Sequence, residues 1–336
     1  MRNIDQQIRD RFSARLIRIS SRSQTLHFLI PMTLVLLACS IFIITLNAAE
    51  SAEQTKKRMV KVAILQQPRW EEGETPEAIR AWQMKWILEH LDQAGEAHSD
   101  IACMGEAAIN MEGLTLPDCP ALDAIRENAK KHKMYIIFPV MAKRDGIGRN
   151  TAVLIGRDGS IIGYYDKVHP TQTETNRVVR GDDIPVFKLD FGTISIQICH
   201  DLSFPESSRV AMLKGAELVF WPTWWSGWGQ ELDWIVIRSR AIDNDQYLAV
   251  VSRGVKHGAG WKPRDPIGRS GIVDPYGQIL SNAGYEAGLI ITDIDLNRRR
   301  IAPGFSSNKP GELFRNSVLN DRNPKAYRII SETSNN

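Results

Sequence analysis

Apolar residues along this chain fall into two recurring rhythms. Short runs bounded by turn residues mark strands at Val60 to Leu65, in the stretch leading to Gly105, at Tyr135 to Val140, Ser160 to Tyr165, Leu218 to Phe220 and Tyr247 to Val251. Alternation of Ile194, Ile196 and Ile198 predicts a further strand with one covered face. Between these runs the period lengthens to that of a helix. Thr75 and Pro76 supply an N-cap and first turn for a helix whose stripe is Ala81, Met84, Leu88 and Leu91, ended by Gly95. Leu122, Ile125 and Ala129 mark a second helix, and Glu231 to about Asn244 a third. Arg157-Asp158-Gly159 turns one strand into the next, and Arg298-Arg299-Arg300 is expected to be a solvated helix start. Strands and helices in alternation indicate an α/β domain.

One segment follows neither rhythm. Leu26 to Leu46 is an uncharged, mostly apolar stretch, long enough as a helix to cross a bilayer core of about 30 Å. It divides the chain into a basic cytoplasmic N-terminus (1–25), a transmembrane helix or signal anchor (26–46), a polar stalk (47–58), the α/β domain (59–310) and a C-terminal tail (311–336). Charge supports this division. Residues 1–25 carry six arginines against Asp5 and Asp10, a net +4, so a chain of net +3 leaves only −1 for everything else. Arginines on one flank place the amino end in the cytoplasm and the rest across the membrane. A cleaved signal peptide, with Asn47-Ala48-Ala49 as small residues, is the competing reading and would make the protein secreted. Leu36-Leu37-Ala38-Cys39 loosely resembles a lipidation box, but apolar sequence continues past it. The near-neutral remainder argues against a nucleic-acid partner, and 43% hydrophobic content is enough for one large core or two smaller ones.

Three polar residues stand where strands give out. Glu106 follows the run that ends at Met104, Lys167 follows the strand ending at Tyr165, and Cys199 follows Ile198. An acid, an ammonium and a thiol at strand ends can converge at one edge of a sheet, and together they are parts of a covalent acyl-transfer site. Taken singly, each has an ordinary reading as a solvated charge or a small buried hydrophobe. His200 invites a Cys-His pairing, yet neighbours on a strand face opposite ways, so its ring should point away from the Cys199 sulfur. The other histidines, at 27, 90, 98, 132, 169 and 257, lack metal-ligand spacing, and the cysteines at 39, 103, 119 and 199 form no CxxC pair, so no metal or other cofactor is implied.

The three residues resemble the Glu-Lys-Cys triad of the nitrilase superfamily, the carbon-nitrogen hydrolases. Cys199-His200-Asp201-Leu202-Ser203-Phe204-Pro205-Glu206 is similar to that family's C-x-D-x-x-F-P-E, and Lys167 with Pro170, Thr171 and Glu174 resembles its second-glutamate segment. Lys214-Gly215-Ala216-Glu217 with Pro222-Thr223-Trp224, then Arg238 to Asn244, and Gly271 to Gly277, follow in family order. The likeness runs from about Val60 to about Arg300. Two departures affect strand-end geometry: Gly105 stands where the family usually has proline, and Pro139 where glycine is common.

The resemblance implies a four-layer α-β-β-α sandwich that pairs into a homodimer or higher homo-oligomer, with a tail after Pro310 reaching over a neighbour. It also implies roles. A thiol of ordinary pKa, roughly 8.5, is protonated at neutral pH and needs a base and a nearby cation to attack a carbonyl. Glu106 supplies the base and later the acid, Lys167 and the backbone N–H of His200 stabilise the oxyanion, and Glu174 holds Lys167. Trp224 and Trp225 belong to a loop expected over the nucleophile, as aromatic walls for an apolar part of the substrate. The expected reaction is hydrolysis of a linear, non-peptide C–N bond, in an amide or N-carbamoyl compound, through a Cys199 thioester. His200-Asp201 after the nucleophile looks like amidases and carbamoylases rather than nitrilases, which usually carry Trp-Glu there. Nitrile hydrolysis and N-acyl transfer through the same thioester are the alternatives, and a membrane-tethered binding module without turnover is the reading from another class.

Overall fold

The computed structural model describes residues 57–69, 73–224, 230–255, 269–302 and 311–332. The proposed membrane segment, Leu26 to Leu46, the basic N-terminus and most of the stalk lie outside these residues, as does Trp225. Among the described residues no helix is long and apolar enough to cross a membrane.

Two sheets make the framework. In the first, strands run in the order β11 (Arg253–Gly254), β1 (Met59–Pro68), β2 (Ile101–Met104), β4 (Tyr135–Arg144), β5 (Ile147–Ile155) and β6 (Ile161–Asp166), with β3 (Thr115–Leu116) on β4 and β14 (Gly288–Asp295) antiparallel to β1. The second orders as β13 (Ile279–Asn282), β12 (Gly271–Val273), β10 (Tyr247–Val251), β9 (Leu218–Pro222), β8 (Thr193–Ile196) and β7 (Val186–Lys188). The first sheet carries helices α1 (Pro76–Glu96) and α2 (Pro120–His132), and the second carries α3 (Pro205–Leu213) and α4 (Gln230–Asn244). A fifth helix, α5 (Phe314–Asp321), lies in the C-terminal segment, whose Arg315 donates to the carbonyl of Ala216 at 3.0 Å.

Strand alternation sorts the side chains into three cores. On β1, Val60, Val62 and Ile64 point between the sheets, where they meet Ile101, Cys103, Ile194, Ile196, Phe220 and Ala249. Ala63 and Leu65, one step out of phase, point the other way against Ile87 and Leu91 of α1 and Leu122 and Ile125 of α2. On the second sheet, Val219, Leu248 and Val250 face Ala211 of α3 with Ile237 and Ala241 of α4. Three apolar layers separated by two sheets are the four-layer α-β-β-α sandwich that the family resemblance implies. Strands covered on both faces read as continuous apolar runs, which is why their period was weak in the sequence.

Several element boundaries depart from expectation. The Thr75 hydroxyl caps α1, accepting from the Ala78 N–H at 3.2 Å, but Gly95 lies inside the helix and is buried. Ile87 replaces Leu88 on the fully buried stripe, and Ala81 is exposed. Arg298-Arg299-Arg300 starts no helix. Arg299 pairs with Glu217 at 2.8 Å with its side chain only 10% exposed, Arg298 reaches Asp274 at 2.8 Å, and Arg300 donates to the carbonyl of Ile242. These guanidiniums tie the end of β14 to the second sheet, because buried carboxylates and helix-end carbonyls there need donors. Arg58, counted with the stalk, pairs with Glu217 at 3.0 Å and donates its backbone N–H to Asp295, so it already belongs to the fold.

Candidate active site

The nucleophile position is built by an interrupted strand. Strand β8 ends at Ile196, and Cys199 opens a one-and-a-half-turn 3-10 helix, Cys199–Ser203, with φ of +48°. A left-handed conformation costs a non-glycine residue about 1 kcal/mol or more, so its surroundings must impose it. Asp201 does so. One of its oxygens accepts from the Ile198 N–H at 2.8 Å and from the Tyr165 hydroxyl at 2.5 Å, and the other accepts from the His169 N–H at 2.9 Å, with His169 Nδ1 also at 2.9 Å. The Cys199 carbonyl accepts from the Trp221 indole at 2.7 Å. Thus Tyr165 and His169, which flank Lys167, lock the turn that carries the thiol. His200 falls in the first turn of the 3-10 helix, where N–H groups have no acceptor within the helix. Its ring meets Ser203 Oγ at 3.2 Å and packs edge-on to Phe204 at 5.2 Å. The ring is therefore occupied elsewhere, as expected, but the cause is the helical turn and not strand alternation.

Glu106, Lys167 and Glu174 form a buried charged cluster. Lys167 Nζ lies 2.9 Å from Glu106 Oε1 and 2.8 Å from Glu174 Oε2, with Glu174 Oε1 at 3.1 Å. Asn150 on β5 donates to Glu106 Oε1 at 2.8 Å and to Glu174 Oε1 at 2.7 Å, so one amide spans both carboxylates. Thr171 adds its N–H and hydroxyl to Glu174 Oε2 at 2.7 and 2.9 Å. Burial acts to lower the lysine pKa, but the Glu106 charge and the hydrogen bonds to Glu174 and Glu106 outweigh it and hold the ammonium firmly protonated. Burial likewise acts to raise Glu174, and its bonds from Lys167, Thr171 and Asn150 bring it below the ordinary carboxylate value.

The thiol shows the opposite balance. Burial pushes Cys199 well above an ordinary thiol, the neighbouring Glu106 charge pushes it further, and the attraction of Lys167 and a bond with Thr223 offset only part of this. The resting state is a neutral S–H beside a carboxylate. Glu106 Oε2 also accepts the Trp224 N–H at 2.9 Å, which fixes its second oxygen. Trp224 is 39% exposed and covers the Arg253 guanidinium, whose centre lies 4.4 Å from the ring centroid. Arg253, almost fully buried, donates to the carbonyls of Glu106 at 3.1 Å and of Ala107.

Glu106, Lys167, Cys199 and Glu174 are therefore gathered in one place, with Trp224 at its rim. Trp221, the first ring of the Trp-rich run, is fully buried and structural. Asn150, Thr223, Arg253 and the Tyr165-Asp201-His169 group escaped the sequence reading. Asn150 sits inside a strand, and nothing in its spacing distinguishes it from an exposed amide; Asp201 lay within a quoted motif without an assigned job. The two departures prove local. A Cβ on Gly105 would come no nearer than 3.5 Å to the Ser252 carbonyl, so a larger residue has room. The Pro139 carbonyl accepts the Ala108 N–H at 2.8 Å on the side where pairing with β2 has ended at Ile137, so its missing N–H breaks no ladder.

A four-layer sandwich with a thiol, a carboxylate and an ammonium at the ends of facing strands defines a class of enzyme that attacks carbonyl or nitrile carbon. The family model for carbon-nitrogen hydrolases matches residues 61–303, and the chain belongs to that family, as an enzyme of the carbon-nitrogen hydrolase class. Among curated relatives, the probable hydrolase nit2 of Schizosaccharomyces pombe is 29% identical over 220 residues, covering 60% of this chain and 78% of the relative. The deaminated glutathione amidase of Synechocystis sp. is 33% identical over 173 residues, 48% of this chain and 62% of the relative. The omega-amidase NIT2 of Homo sapiens is 28% identical over 185 residues, 52% and 66% respectively. The chain thus spans less than two thirds of the length of some of these relatives. Among solved structures, a mutant of the Nesterenkonia AN1 amidase from the nitrilase superfamily superposes with a TM-score of 0.65 at 20% identity, over 81% of this chain and 97% of that one. Nit3 of Saccharomyces cerevisiae gives a TM-score of 0.60 at 22% identity, over 70% of this chain and 90% of that one. These likenesses speak for the fold.

Proposed function

We propose that this protein is a membrane-anchored amidohydrolase that cleaves a linear, non-peptide C–N bond through a thioester on Cys199. The observation that carries the reading is the Lys167 ammonium held at 2.9 Å from Glu106 and 2.8 Å from Glu174, beside a thiol whose proton Glu106 is placed to take. Because that thiol rests protonated, proton transfer to Glu106 accompanies attack of Sγ on the carbonyl carbon. The oxygen gains negative charge opposite Lys167 Nζ and the His200 N–H, where one such donor contributes on the order of 3 kcal/mol. The C–N bond then breaks, and the leaving nitrogen takes the proton from Glu106 and departs as ammonia or an amine. Water next loses a proton to Glu106 and attacks the thioester carbon; the C–S bond breaks, the acid leaves, and the proton returns to sulfur. Glu174, bonded to Lys167 through both oxygens, keeps the ammonium in position and charged. Trp224 supplies an apolar wall at the entrance.

Amides and N-carbamoyl compounds are favoured over nitriles by the His200-Asp201 pair and by the amidases among the relatives. The anchor rests on Leu26 to Leu46 and the arginines before it, which put the catalytic domain outside the cytoplasm; pairing of two copies rests on the family pattern. An ammonia-release screen of small amides and carbamoyl compounds, with mass spectrometry of the protein, tests the chemistry. An acyl adduct on Cys199 that is absent in Cys199→Ala supports it. An unmodified Cys199 and no ammonia with every compound tried would leave a binding module instead.

A further inference from the structure

The carboxylate that serves Cys199 stands on a turn that buried side chains hold by its backbone. Ala107, next to Glu106, has φ of +50°, a left-handed conformation that a residue with a Cβ adopts only where its surroundings impose it. Two side chains do so. Gln67 on β1 and Arg253 on β11 are register partners in the first sheet, and both are buried. Gln67 accepts the Gly105 N–H at 3.2 Å and donates to the Ala108 carbonyl at 3.0 Å. Arg253 donates through one terminal nitrogen to the carbonyls of Glu106, at 3.1 Å, and Ala107, and through the other to the Pro68 carbonyl at 3.3 Å. Three successive carbonyls, 106 to 108, thus accept from one pair of neighbouring side chains, which fixes where the Glu106 side chain leaves the turn.

The two oxygens of that side chain are not equivalent. A carboxylate oxygen offers two lone pairs. Oε1 receives Lys167 at 2.9 Å and Asn150 at 2.8 Å, and is saturated. Oε2 receives the Trp224 N–H at 2.9 Å and keeps one lone pair for the thiol, which hydrogen-bonds this carboxylate. Trp224 closes a cycle. Its N–H holds Oε2, its ring lies over the Arg253 guanidinium at 4.4 Å, and Arg253 in turn holds the backbone of Glu106.

We propose that Arg253 is a positioning residue for the catalytic base, that with the stacked Trp224 it aims Glu106 Oε2 at the Cys199 thiol, and that Oε2 is the atom that carries the proton. As Sγ bonds to the carbonyl carbon, the S–H bond breaks and an O–H bond forms on Oε2; the same atom then gives the proton to the leaving nitrogen. This deepens the amidohydrolase reading and rests on it. Lysine in place of Arg253 would keep the charge but offer a single nitrogen and no flat face to Trp224, so it separates the geometry of the guanidinium from its charge.

The test uses the full-length protein as Arg253→Lys and Trp224→Leu, each alone and combined with Glu106→Gln, with melting temperatures measured first. Two rates are read, turnover of propionamide and alkylation of Cys199 by iodoacetamide near neutral pH. In Arg253→Lys, kcat should fall about tenfold with KM changed less than about twofold, because Glu106 is misplaced while substrate contacts are kept. Moving the carboxylate off the thiol leaves more thiolate, so alkylation should quicken about threefold. Trp224→Leu should quicken alkylation too, and it carries the test alone if Arg253→Lys does not fold. On top of Glu106→Gln neither substitution should quicken alkylation further, since the group they act through has already lost its charge. Alkylation that slows together with turnover, unchanged rates in the folded variants, or the same quickening with and without Glu106→Gln would overturn the positioning role while leaving the amidohydrolase intact. If no amide is turned over at all, the chemistry of Cys199 is wrong, and the alkylation comparison alone then decides whether Arg253 aims Glu106.

Discussion

At the scale of single residues the site turns on a proton that rests on sulfur. Glu106 raises the thiol pKa by its charge, so Glu106→Gln should lower it and leave more thiolate at neutral pH. Alkylation of Cys199 by a small electrophile at pH 7 is then expected to quicken, while amide turnover falls at least about a hundredfold for want of a base and acid. If both rates fell together, Glu106 would be acting only as a structural group. Lys167 makes a second prediction. Removing it as Lys167→Met leaves Glu106 and Glu174 buried without a cation, at a cost of about 3–5 kcal/mol. In the wild type the depressed Glu174 contributes stability above its unfolded value of about 4.3, lost as pH falls through the lower folded value. In the variant the buried carboxylates titrate upward, so their penalty shrinks on acidification. Urea midpoints should therefore rise for Lys167→Met between pH 7 and 5, where the wild type stays level; a variant that tracked the wild type would contradict the pairing.

At the scale of elements, catalysis depends on where strands stop. β8 gives out two residues early, and the 3-10 turn beginning at Cys199 is held in a left-handed start by Asp201, bonded to Tyr165 across the gap between the sheets. Tyr165→Phe removes that bond and leaves a buried carboxylate short of a donor, at about 1–3 kcal/mol. Loss of kcat by about tenfold with little change in KM is the expected signature, since the turn would relax without altering substrate contacts. A pure stability loss with unchanged kcat would assign Tyr165 to the core alone. Asn150 performs the matching service on β5. Its amide joins Glu106 to Glu174 across a strand-end gap, so Asn150→Leu should slow turnover even under conditions where the protein is fully folded, as steady-state rates below the unfolding midpoint would report.

At the scale of the whole molecule, the catalytic unit begins at Lys57, and the family match begins at residue 61. A fragment from residue 57 onward should fold and keep the wild-type kcat, because β1, which pairs with β2, β11 and β14 in the first sheet, and the Arg58–Glu217 pair at 3.0 Å are both included. An inactive or unfolded fragment, seen by circular dichroism and ammonia release, would mean that the N-terminal segment is part of the catalytic fold. A reporter active only in the cytoplasm, fused after residue 60, should be silent if the domain is exported. Strands β1, β2, β4, β6, β8, β9 and β10, helices α1, α2 and α4, the thiol, acid and ammonium, and the apolar N-terminal stretch were legible in the linear pattern, because periodicity and strand-end polar residues are local properties; the short strands β3, β7 and β11 to β13, strand β14 and helices α3 and α5 were not. What the pattern could not carry was meeting in space. Asn150 earns its place only where β5 passes between two carboxylates 44 and 24 residues away, Arg253 only where its buried guanidinium reaches the carbonyl of Glu106, 147 residues distant. Arg298 to Arg300 look solvated until the second sheet presents Glu217 and Asp274 to them. Local sequence determined which elements form and which reactive groups exist; packing of the two sheets decided which polar groups share one buried volume, and with it the protonation of the thiol.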